Sequence, residues 1–135
     1  MILLVLVLVL GCLVPGDPAD LGAGDSGDFV ENVEPILVSS CANPSCHGNA
    51  QRPLQLYAVH RYRLDPDDLW ADGDLSPAEH LANYQHARGF GAPTFELGRK
   101  PLSPEAGGMD HRGGVFWNTT DDVDYQAIIA WLEGR

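Results

Sequence analysis

The chain has 135 residues, of which 19 are acidic and 8 basic, giving a formal charge of −11, and 44% are hydrophobic. That balance argues against nucleic acid as a partner. It favours encounter with basic protein surfaces, although acidity also serves plain solubility. The chain length allows one small domain beyond the N-terminal segment and no more.

Residues Ile2 to Leu10 are nine consecutive Ile, Leu and Val. The run is too short to span a bilayer as a helix and matches the apolar core of a secretory signal, which assigns residues 1–11 to a signal peptide. It ends in Val9-Leu10-Gly11-Cys12, a bacterial lipobox pattern with Cys12 as the lipidated residue. No Lys or Arg precedes the run, so an ordinary signal peptide or a buried strand stays open as an alternative. Residues 12–28 then read as a flexible tether, rich in Gly, Asp, Pro and Ala, with four aspartates and no basic residue. Leu13 and Val14 follow the cysteine, where an aspartate commonly retains such proteins at an inner membrane. The expected location is therefore the periplasmic side of the cell envelope, lipid-anchored, at the outer membrane of a diderm host.

The domain occupies residues 29–135. A first helix is expected from Asp28, with Glu31 three residues on as in a capping box. Phe29, Val33, Ile36 and Leu37 fall on one face, and Pro35 should kink or restart the helix. Then comes Cys41-Ala-Asn-Pro-Ser-Cys46-His47, a C-x4-C-H run. The C-x2-C-H run is the attachment signature of a c-type haem. Two thiols add to the porphyrin vinyl groups, and the adjacent imidazole becomes an axial iron ligand. Here the spacer is longer by two residues, but the order of thiol, thiol and adjacent histidine is kept. Asn43 and Pro44 suit a tight turn in that spacer. A Cys41–Cys46 disulfide, permitted in an exported protein, is the competing reading. Zinc is disfavoured, because there is no second cysteine pair and no paired histidine spacing. One lipidated and two haem-bearing cysteines account for the odd count of three.

Residues 48–75 and 89–119 are rich in Gly, Pro and Asp and show no alternating strand pattern. Such long irregular stretches call for an organising centre, which a haem would supply. Asp68 to Glu79 resembles an EF-hand loop, but Trp70 stands where an oxygen ligand belongs. An Asp-Gly turn followed by a capped helix is the preferred reading. That helix starts at Ser76-Pro77-Ala78-Glu79 and runs to about Arg88. His60, His80 and His86 have no compelling partner and are expected to be surface or locally bonded, and Asn83 is expected to face a loop. A third helix begins near Thr120, with Asp121, Asp122 and Asp124 at its positive end. Tyr125, Ile128, Ile129 and Leu132 form its apolar stripe, with Trp131 beside it.

A helix before the Cys-Cys-His run, a loop-rich middle and an aromatic-bearing C-terminal helix together resemble a small class I cytochrome c. Finer segments are similar to a group of predicted haem-binding lipoproteins from planctomycetes and myxobacteria. These are Val33-Glu34-Pro35-Ile36-Leu37, Arg99-Lys100-Pro101-Leu102, Gly107-Gly108-Met109-Asp110-His111-Arg112-Gly113-Gly114, and Asp124-Tyr125-Gln126-Ala127-Ile128-Ile129-Ala130-Trp131. The resemblance implies a mainly α, cytochrome c-like domain whose two terminal helices cross beside one covalent haem c. In that reading Cys41 and Cys46 carry the haem and His47 binds iron. The sixth ligand lies between His111 and Met109. The separation of Met109 from His47 suits a class I methionine ligand, whereas the His-x-Gly-Gly element is the steadier feature of the lipoprotein group and favours His111. The expected role is single-electron transfer with basic-surfaced redox partners rather than catalysis. An open sixth position would instead allow small-ligand binding or peroxidase chemistry. The alternative is a non-haem envelope interaction module closed by a Cys41–Cys46 disulfide.

Overall fold

The computed structural model describes residues 26–91 and 93–135. The apolar run, Cys12 and nearly all of the tether lie outside the described residues. Among the described residues the architecture is mainly α with long irregular connections. Extended backbone pairs only at two isolated bridges, Ala58 with Tyr62 and Leu102 with Trp117. No helix among these residues is long and apolar enough to cross a membrane.

The N-terminal arm comprises α1 (Ser26–Asp28), a π-helical turn (Phe29–Val33) and α2 (Glu34–Ser40). It starts upstream of the expected cap. Asp28 has helical backbone and makes no side-chain cap bond, and its carboxylate instead accepts from Asn32 Nδ2 at 2.8 Å. The π-helical turn abuts Pro35. Proline offers no N–H to the carbonyl one turn back, and its ring crowds that carbonyl. The widened turn, closed by the Glu34 N–H on the Phe29 carbonyl, lets the helix continue through the defect. Phe29, Val33 and Leu37 are buried on one face, with Ile36 packed beside them.

Helix α3 (Pro77–Gly89) carries the expected capping box. The Ser76 hydroxyl accepts from the Glu79 N–H at 3.3 Å, and the Glu79 carboxylate accepts from the Ser76 N–H at 2.8 Å. Helix α5 (Val123–Leu132) is capped by Asp122, which accepts from the N–H groups of Asp124 and Tyr125. Between them lies a single-turn helix, α4 (Glu96–Arg99), that sequence patterning does not suggest; it packs against α5. Trp131 is a centre of the core rather than a neighbour of the stripe. Its ring lies 5.0 Å from that of Phe29 and 5.9 Å from that of Tyr84, which is itself 5.6 Å from Phe29. One aromatic cluster thus joins the N-terminal arm, α3 and α5.

A buried polar network fixes the irregular middle to α3. The Arg63 guanidinium donates to both oxygens of Glu79 at 2.8 and 3.1 Å, and the Leu64 N–H donates to the same carboxylate at 2.9 Å. Asn83 accepts from the Tyr57 N–H at 2.7 Å. It donates to the Tyr57 carbonyl at 3.0 Å and to Glu34 at 2.7 Å. His80 Nδ1 bonds the same Glu34 carboxylate, and His86 Nδ1 bonds the Gln55 carbonyl at 2.8 Å. Glu79, which would be the last ligand of an EF-hand, is therefore committed to Arg63 and to the helix start.

Candidate functional site

The Cys-Cys-His run leaves the end of α2 directly. The Cys41 N–H closes the last helical turn on the Leu37 carbonyl. The four-residue spacer then folds back on itself. Asn43 Oδ1 accepts from the Ser45 N–H at 3.0 Å and from its hydroxyl at 2.7 Å, the side-chain turn for which asparagine is suited. The Asn43 carbonyl accepts from Cys46 N–H at 2.8 Å and Gly48 N–H at 3.0 Å, and the His47 N–H reaches the Cys41 carbonyl at 3.1 Å. The extra residues are thus absorbed in a turn that returns His47 to Cys41. Gly48 permits the closure: a Cβ there would stand 2.4 Å from the Ala42 oxygen. Arg52 clamps the outside of the loop, donating to the carbonyls of Cys46 and Ser45 at 3.1 and 3.2 Å.

This loop forms one wall of a cleft of about 400 Å³, within the range of small-molecule and cofactor sites. Cys41, Cys46 and His47 line it on one side, and His111, Arg112 and Phe116 line it on the other. A smaller apolar recess continues from it beside Leu54, Phe90 and Leu97 and shares Cys41, His47 and His111. The cleft brings together four of the five residues expected to hold a cofactor. Met109 is half-buried in the same loop as His111, but it is not among the residues lining the cleft.

The two imidazole planes lie 3° from parallel with centroids 6.1 Å apart. Each is oriented by a backbone carbonyl: His47 Nδ1 bonds Leu54 O at 3.0 Å, and His111 Nδ1 bonds Gly114 O at 3.1 Å. A carbonyl only accepts, so both rings carry a proton on Nδ1, the tautomer that places the lone pair of a neutral imidazole on Nε2. This is the arrangement found in metal-ligating histidines. Neither Nε2 has a protein partner among the described residues. Burial holds His47 below the usual histidine value, and the nearby His111, Arg52 and Lys100 push the same way against the opposing Leu54 hydrogen bond. A neutral ring is the ligating form.

Both thiols are free in the structure. Burial, and secondarily the neighbouring Cys46, pushes Cys41 up to about 11. A thiol kept protonated is a poor free nucleophile, so Cys41 is not set up as one. Three of the chain's eight basic residues, Arg52, Lys100 and Arg112, line the cleft of this otherwise acidic protein. They lie far apart in sequence and share no motif, although basic residues are scarce enough here that their positions carry information. No group of three or more His, Cys, Asp or Glu side chains preformed for a bare metal ion occurs among the described residues. No protein-family model, curated protein or solved structure matches this chain.

Proposed function

We propose that the domain is a mono-haem c-type cytochrome that carries single electrons in the cell envelope, held to the membrane through a lipidated Cys12. The observation that carries this reading is the near-parallel pair His47 and His111, lining one cleft with two free thiols. Two imidazoles binding one iron from opposite sides need centroids roughly 6 Å apart. That sum comes from two metal–nitrogen bonds of about 2 Å and about 1 Å from each nitrogen to its ring centre. The 6.1 Å separation, the near-parallel rings and the free Nε2 atoms suit that group. The packing of the N-terminal arm on α5 through Phe29 and Trp131 supports the class I cytochrome c-like part of this reading.

In this reading Cys41 and Cys46 would hold the haem through thioethers, each S–H adding across a vinyl group with no leaving group. His47 and His111 would hold the iron through their Nε2 atoms, and Met109 would stand outside the ligand set. Arg112, with Arg52 and the Glu96-paired Lys100 beside it, would offset the carboxylates of the ligand, while Pro53, Leu54, Phe90 and Leu97 would shield one side of it. Bound there, an iron porphyrin supplies a one-electron couple whose potential is set by axial ligands, burial and hydrogen bonding. With both histidines bound, the group would supply electron transfer rather than an open position for catalysis.

The test is the absorption spectrum and pyridine haemochrome of protein expressed with a cytochrome c maturation system. A Soret band and a c-type haemochrome are expected. A colourless protein with a Cys41–Cys46 disulfide would establish the non-haem interaction module instead. Cys12→Ser should move the protein from the membrane to the soluble envelope fraction, and unchanged membrane association would remove the lipid anchor from the account.

A further inference from the structure

The loop that presents His111 holds its ring from two directions. On the edge, Nδ1 is tied to the Gly114 carbonyl at 3.1 Å, while the Gly114 N–H returns to the His111 carbonyl at 2.9 Å. Beside it lies Gly113. A Cβ at this position would stand 2.7 Å from His111 Cε1 and 3.2 Å from both ring nitrogens. Those are three atoms of one imidazole, and 2.7 Å is closer than carbon atoms pack. The ring therefore occupies the space that a side chain at 113 would fill. The opposite imidazole has no such freedom either, because His47 is fixed by Leu54 and by the folded Cys41–Cys46 turn.

We propose that Gly113 is a positioning residue that sets the plane of the His111 imidazole parallel to that of His47. The inference rests on the bis-histidine haem reading and adds to it a reason for the ring orientation. The angle between two axial imidazole planes governs how the iron dπ orbitals split. Parallel planes add their effects along one direction and give a strongly rhombic ligand field. Crossed planes cancel and give a nearly axial one. The loop thus selects the electronic ground state of the oxidised centre through a backbone position that touches no iron. A substituent at 113 must turn the ring or push it outward, and either movement changes the field or weakens the sixth bond.

The experiment uses the full-length, haem-loaded protein in its oxidised form, examined by electron paramagnetic resonance in frozen solution. The wild-type protein should give a rhombic low-spin signal with three resolved g-values. Gly113→Ala should raise the largest g-value or convert part of the signal to high spin. It should also let added imidazole bind, seen as a Soret shift absent from the wild type. Gly89→Ala is the control, since a Cβ there meets nothing within 4 Å and should leave the signal unchanged. Gly113 is exposed, so equal thermal unfolding of the two variants shows that the effect is local. The proposal fails if Gly113→Ala keeps the wild-type signal and excludes imidazole. It fails also if the wild type itself shows the single extreme g-value of crossed planes or the near-infrared band of an iron–methionine bond. A negative haemochrome is a different outcome, because it removes the haem reading and takes this inference with it.

Discussion

The α3 face and the cleft use similar residue types and hold them in opposite ways. On α3, Glu79 receives five hydrogen bonds, from Arg63, Leu64 and Ser76. Asn83 makes three bonds, all buried. In the cleft, each of His47 and His111 makes one ring bond, to a backbone carbonyl, and keeps its second nitrogen free. Saturated buried polar groups form a frame that is costly to open. Side chains that are oriented but not saturated retain capacity for a ligand. The distinction separates the histidines as well: His80 is paired with a buried carboxylate on the frame, and His111 waits on a loop.

Breaking the frame should be costly and spectroscopically silent, whereas altering the cleft should do the reverse. The largest effect is expected for Glu79→Ala, which strands the buried Arg63 guanidinium. Loss of one partner of such a pair costs about 3–5 kcal/mol, readable by urea unfolding. The same carboxyl carries a pH signature. Burial works to raise it, but the bonds from Arg63, Leu64 and Ser76 outweigh burial and hold it at about 2, against an ordinary 4.5. A value depressed by folding contributes stability in full above the unfolded value and loses it as pH falls towards the folded one. Stability should therefore decline between about pH 4.5 and 2, and Glu79→Gln should flatten that limb of the unfolding curve. An unaltered acid limb would show that other carboxylates control it.

Asn83→Ala comes next. It leaves the Tyr57 amide and carbonyl and one Glu34 oxygen short of partners, for about 3 kcal/mol, with the Soret position of the folded fraction preserved. The smallest stability effect belongs to His111→Ala. Before haem attachment it removes one exposed hydrogen bond and should cost less than about 1 kcal/mol. In the haem-loaded protein it should abolish the low-spin spectrum, and Met109→Ala should not. The opposite result for the pair would move the sixth ligand to Met109.

The starts of α3 and, to within a turn, α5 were legible because their signals are local. Ser76, Pro77 and Glu79 lie within one turn, as do Asp122 and the amides it caps. The arm's apolar face was legible from the spacing of Phe29, Val33 and Leu37. The Cys41, Cys46 and His47 group was legible because adjacency alone defines it, and His111 because it sits in an unusual glycine-rich setting. The polar frame was not, since Asn83 bonds the backbone of Tyr57 and the side chain of Glu34, partners far away in sequence that leave no periodic trace. A weaker signal was present: Asn83 stands one turn from both Glu79 and Ala87, a polar residue on a stripe that proves buried. Helix α4 was hidden by its single-turn length and its internal glycine. Asp28 misled as a cap because the helix reaches back to Ser26, where the chain reads as tether.

The central claim is that Cys41 and Cys46 hold a haem covalently despite their four-residue spacer. Its most direct test is the mass of the denatured protein after expression with a cytochrome c maturation system, alongside the Cys41→Ser, Cys46→Ser double variant. The mature polypeptide should carry the additional mass of one haem, retained through denaturation and lost in the double variant. A denatured mass equal to the bare polypeptide would contradict it.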